Sequence, residues 1–142
     1  MRNTLFAMAA LAAFMPGAAL AQSASFDSAR VPGAWASGDS DGACQTAAIS
    51  YFMSDGTYVV FERFDGPLHA VGRWRLEGER FIMTHNDAPF AEDGVASAEA
   101  TLTVTRLDSD RFVSTNTAGR ERVRTRCHGL ILPPGAQAGH GH

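Results

Sequence analysis

The chain has 142 residues, 45% of them hydrophobic, with 12 basic and 15 acidic side chains and a formal charge of −3. A mildly acidic chain excludes a general nucleic-acid-binding surface, which needs a basic face, and its length suits one domain with enough buried surface for a core. There is no lysine, and the cysteines are Cys44 and Cys127.

In chain order, the first element is a predicted signal peptide over residues 1–21. Arg2 supplies the positive start, Leu5 to Met15 an apolar run, Pro16 and Gly17 a helix break, and Ala19-Leu20-Ala21 a small-x-small cleavage pattern. The apolar run is too short to span a bilayer, which takes about 20 residues, and no second such run follows. The expected location is therefore periplasmic or secreted, with Gln22 as the new N-terminus and no membrane span. Residues 22–30 are polar apart from Phe26 and read as an N-terminal arm.

From Val31 the pattern is short stretches of alternating apolar and polar residues, separated by Gly and Asp turns. This predicts an all-β, antiparallel up-and-down meander of about eight strands over a domain of residues 31–132. The predicted strands are Val31–Ala36, Ala48–Ser54, Thr57–Phe64, Leu68–Leu76, Arg80–His85, Ala96–Leu107, Arg111–Thr117 and Arg120–His128, with no helix outside the signal peptide. Asp55-Gly56 between alternating runs predicts a two-residue type I′ hairpin turn. Asp65-Gly66-Pro67, Glu77-Gly78-Glu79, Asp108-Ser109-Asp110 and Ala118-Gly119 mark the later reversals. Ala88–Val95 reads as a wider loop of the kind that meets ligands at a barrel mouth.

Alternation also assigns faces. Leu68, Ala70, Trp74 and Leu76 are expected inside, opposite His69, Arg73 and Arg75. Phe81, Met83, Leu102, Val104, Val123 and Cys127 are further inward candidates, which puts Arg120, Arg122, Arg124 and Arg126 on the outer face of the last strand. Thr57–Phe64 is apolar on both faces, as expected either of a strand covered on both sides or of an exposed association patch. Closure into a barrel would remove both sheet edges. Two cysteines in an exported chain permit one intramolecular bond, and Cys44–Cys127 would fasten the seam between first and last strands. On the chain-entropy model such a bond adds up to about 4–5 kcal/mol. Their spacing is unlike the close CxxC pairs of redox-active thiols.

Gly33-Ala34-Trp35 at the first strand, the Asp55–Tyr58 hairpin, and Gly72-Arg73-Trp74 followed by a Leu-x-Gly turn together resemble small secreted lipocalin-like (calycin) barrels. A narrower similarity is to bacterial alkaline-metalloprotease inhibitor barrels, carried by the polar arm Gln22–Arg30, the Gly33 to Trp35 strand start and Cys44. That similarity implies a protease-inserting tip at Gln22, Ser23 and Ala24. The chain departs from it in the disulfide, because the inhibitor family closes a short loop at its first cysteine and Cys44 here has only Cys127 to join.

No GxSxG, HExxH, P-loop or GxGxxG motif is present, His69 and His85 lack an evident catalytic partner set, and no cofactor is called for. The expectation is a non-enzymatic binding protein. A small apolar ligand would sit in a barrel lined by Tyr51, Met53, Trp74, Phe81, Met83 and Leu102, unless those residues fill a solid core. A macromolecular partner would meet the loops and the arm. The arginine stripe would suit an anionic partner, against the simpler reading of a charged outer face that discourages strand pairing. The Pro/Gly-rich tail, residues 133–142, is expected to be disordered, and its His140 and His142 with His128 form a candidate weak metal site.

Overall fold

Eight strands separated by the anticipated turns close on themselves in sequence order. The computed structural model describes residues 25–86 and 98–131. The strands are β1 Gly33–Ser37, β2 Ile49–Phe52, β3 Thr57–Phe61, β4 Leu68–Glu77, β5 Arg80–Asn86, β6 Ala98–Leu107, β7 Arg111–Thr115 and β8 Glu121–Arg126. Each pairs antiparallel with the next, and β8 returns to β1 through Trp35–Arg126, Ala36–Thr125 and Ser37–Arg124, making a closed barrel without free sheet edges.

Two short helical pieces escape the strand pattern. A 3₁₀ turn at Ser28–Arg30 precedes β1, capped by the Asp27 side chain on the Ala29 N–H at 3.0 Å. A four-residue helix, α1 (Ala43–Thr46), links β1 to β2. One turn of helix is too short to show a 3.6-residue period, so the expectation of no helix is corrected here.

The β2–β3 turn differs in type from the expected I′. Asp55 keeps negative φ and only Gly56 takes a positive value, φ 84°. Gly56 N–H donates to the Met53 carbonyl at 3.1 Å, while Asp55 Oδ1 accepts from the Thr57 N–H at 2.9 Å. This is a type I turn followed by a left-handed glycine, and the Asp55 carboxylate does the closing.

Inside, Trp35, Phe52, Tyr58, Phe81 and Phe112 are fully buried together with Val31 and Val104. Their rings meet edge to face or tilted, with centroids 4.9 Å apart for Phe81–Phe112, 5.4 Å for Phe52–Phe81 and 5.7 Å for Trp35–Phe112. Trp74 stacks on Phe81 at 5.9 Å, and Met83 and Leu102 pack in the same cluster. The middle of the barrel is occupied by side chains.

A second apolar layer lies outside the barrel. Ala34 and Ala36 on β1 and Ile49 on β2 pack with Ala43 of α1 and Cys127, with Tyr51 and Leu130 alongside. Small side chains on β1 let α1 approach closely, and Cys44 on α1 bonds Cys127 just past β8, with Cα atoms 5.6 Å apart. Val59 and Phe61 are buried on this outer side of β3 while Tyr58 is buried on the inner side. Between the two expectations for this strand, it is the covered one.

Candidate functional site

The β8 sequence Arg122-Val-Arg-Thr-Arg126 alternates strictly, so one question decides the site: which set faces inward. Across β7, Arg124 pairs with Phe112 and Arg122 with Ser114; across β1, Arg124 pairs with Ser37 and Arg126 with Trp35. Residues paired directly share a face. Phe112 and Trp35 are in the core, so Arg122, Arg124 and Arg126 share the inner face, with Arg124 buried, Arg126 half-buried and Arg122 exposed at the rim. The expected outer stripe is therefore corrected, as is the inward placement of Val123 and Cys127. Arg120 lies before the strand, exposed, with its N–H donating to Asn116 Oδ1 in the β7–β8 turn.

Arg126 belongs to the closed end. Its guanidinium lies 4.0 Å from the Trp35 ring centroid, and it donates to the Pro32 carbonyl at 2.8 Å and to the Arg30 carbonyl. Trp35 Nε1 donates to the Val31 carbonyl at 2.7 Å, and Phe26 packs against the same cluster. The segment leading into β1 thus plugs this end, and Gly33, with φ 129°, has no Cβ to meet the Arg126 head group.

Arg124 points toward the other end and is treated differently. Only 6% exposed, it sits over the Phe112 ring at 5.1 Å, and its Nη1 has no hydrogen-bond partner. Burial pulls its ionisation down to about 10, and the adjacent Arg122 charge adds to the effect. Ser114, fully buried on the same inner face, also has an unpartnered hydroxyl. A cleft of about 440 Å³ opens here, lined by Ser37, Gly38, Asp39, Arg122, Val123 and Arg124. Asp39 is its carboxylate. Among the described residues, the ion pairs include neither Asp39, Arg122 nor Arg124.

Across the interior from Arg124 lies Tyr58, whose hydroxyl shares a 2.6 Å hydrogen bond with His85 Nδ1. Burial pushes the Tyr58 phenol up to about 12, and the positive charge of Arg124 partly offsets this. Gly72 faces this pair, and a Cβ there would come within 2.8 Å of the Tyr58 ring. The barrel interior thus carries a polar Tyr58–His85 pair beside the aromatic plug.

The six residues expected to line an apolar cavity do not surround one space. Trp74, Phe81, Met83 and Leu102 pack within the core cluster. Tyr51 lies outside with the Cys127 layer, its hydroxyl donating to the Leu130 carbonyl, which corrects its place in the list. Met53 sits in the β2–β3 turn, where its carbonyl accepts from Trp74 Nε1 at 3.0 Å. His128 is exposed and pairs with Asp110 at 2.9 Å. His140, His142, the arm tip Gln22–Ala24, the signal segment and the Ala88–Val95 loop all lie outside the described residues. Among the described residues no group of three or more His, Cys, Asp or Glu side chains is placed to hold a metal ion, and no helix is long and apolar enough to cross a membrane.

Sequence reasoning missed Ser37 as a cleft residue and Ser114 and Tyr58 as buried polar groups of the inner face. It named the arginines but turned them the wrong way. One signal was available: a disulfide from a connecting segment outside a barrel requires Cys127 to face out, and period two then sends Arg126, Arg124 and Arg122 inward. Comparison with protein families, characterised proteins and solved structures finds no match to the chain.

Proposed function

We propose that this chain is an exported, lipocalin-like binding protein that takes a small ligand at the open mouth of its barrel and does not transform it. The observation that carries the reading is the asymmetry of the interior. An aromatic plug fills the middle and the Trp35 end, while the opposite end holds a cleft lined by Ser37, Asp39, Arg122 and the buried Arg124, whose Nη1 lacks a hydrogen-bond partner. Buried polar groups are almost always satisfied, so an unpartnered buried arginine that also lines a cleft favours a ligand there. The Cys44–Cys127 bond supports export, since such bonds persist in oxidising compartments. The closed eight-strand meander is compatible with the lipocalin-like build. An apolar ligand deep in the barrel is the weaker version, because Trp74, Phe81, Met83 and Leu102 already pack on one another.

Native mass spectrometry of the chain recovered from the cells that make it tests the reading. The wild type is expected to carry a small-molecule mass increment that disappears in Ser37→Trp, whose added ring fills the mouth while the circular dichroism of the barrel stays unchanged. A bare wild-type chain, or an increment indifferent to Ser37→Trp, would overturn it.

A further inference from the structure

We infer that the mouth cleft is a site for one small oxyanion, a carboxylate or phosphoryl head group, anchored by Arg124 and clamped by Arg122, with the Ser114 and Ser37 hydroxyls as neutral donors. The inference rests on the mouth reading above and names the chemistry of its ligand.

The first support is what the other arginines do. Arg63, Arg75, Arg80 and Arg106 have carboxylate partners. Arg111 donates to Thr125 Oγ1 and the Asp39 carbonyl, and Arg126 donates to the carbonyls of Pro32 and Arg30. Among the described residues the side chains of Arg30, Arg73, Arg120 and Arg122 lack an ion pair or hydrogen bond, but all four are exposed, whereas Arg124, beside Arg122 on the inner face, is buried and has neither. A buried cation without a counter-charge is unfavourable, and a second cation beside it makes it more so. An anion between them removes both penalties at once.

Geometry selects the kind of anion. The Arg124 guanidinium carbon lies over the Phe112 ring, 5.1 Å from its centroid, and its Nη1 has no hydrogen-bond partner. A guanidinium edge presents parallel donors matched to two oxygens of a carboxylate or phosphoryl group. Ser114 adds a buried hydroxyl directly across the strand pair from Arg122, and Ser37 one across from Arg124. The cleft volume of about 440 Å³ is that of a small-molecule site. Asp39, exposed at the rim, opposes a ligand of high negative charge and favours a single anionic head.

The test is side-chain NMR of the ¹⁵N-labelled protein at constant ionic strength. Acetate and inorganic phosphate are titrated separately against a sodium chloride control, and the Arg124 Nε–Hε signal is assigned by its loss in Arg124→Met. At least one anion is expected to shift that signal saturably while the Arg126 signal stays still, and the tighter of the two identifies the head group. Arg124→Met should weaken binding at least about tenfold, and Ser114→Ala by a few-fold. No shift at Arg124 beyond the chloride control, or equal binding by Arg124→Met followed through the Arg122 signal, would overturn the inference. If neither anion titrates and the mass increment is lost in Ser37→Trp but kept in Arg124→Met, the anion inference falls and the mouth reading stands. No increment and no titration sink both.

Discussion

Arg124 and Arg126 stand two positions apart on the same inner face of β8, each over an aromatic ring, yet they occupy opposite situations. Arg126 stacks on Trp35 and donates to two backbone carbonyls of the segment that plugs the barrel, so its charge is used in holding the fold. Arg124 lies over Phe112 deeper inside, with Nη1 unpartnered and Arg122 as a like-charged neighbour. The contrast shows that arginines of one stripe on one strand differ in whether the described residues around them supply acceptors.

The largest way to break the comparison is to remove the platform at the closed end. Trp35→Ala deletes a fully buried ring that contacts Phe112, and is expected to lose about 3–5 kcal/mol of stability in urea unfolding. A loss below about 1 kcal/mol would mean the plug is not anchored there. Next, Arg126→Met strips donors from the Pro32 and Arg30 carbonyls and should cost about 1–3 kcal/mol. Arg124→Met should do the reverse, raising stability by about 1 kcal/mol, because a buried cation with no ion pair among the described residues gives way to an apolar chain of similar length. Two variants destabilised alike would erase the distinction.

The smallest effect is spectroscopic. Tyr51→Phe leaves Tyr58 as the chain's remaining tyrosine, and its phenolate absorbance should rise with a midpoint of about 12 instead of near 10. Because the folded value is the higher one, the stability Tyr58 contributes is complete below about pH 10 and is lost as pH climbs through about 12. Adding Arg124→Met to that background should move the midpoint up further, since the cation that lowers it is gone. A midpoint unmoved by that change would show that the two groups do not share one interior.

The meander and its seam were legible because both are local statements. Alternation marks strands, Gly and Asp mark turns, and two cysteines admit one bond. The direction of β8 was not legible in the same way. Period two separates Val123 and Cys127 from the arginines without saying which set is inside, and the usual preference for buried apolar residues chose wrongly. What overrode it is the outer apolar layer, where α1 and Leu130 cover Ala34, Ala36, Ile49 and Cys127, so that apolar side chains on the outside of the barrel are also buried. The Asp55-Gly56 turn shows the same limit at smaller scale: the residue pair located the reversal, while the hydrogen bonds from Asp55 to Thr57 set its type.

The Cys44–Cys127 bond spans 83 residues, and β2 through β8 all lie between its ends. The protein is thus a covalent hoop with two short arms, one of which supplies β1. A single proteolytic cut in an exposed turn of the hoop, such as Asn116–Arg120, opens the ring without releasing a fragment, because the strand ladders and the sulfur bridge still hold both pieces. Such a nicked molecule runs as one chain until it is reduced.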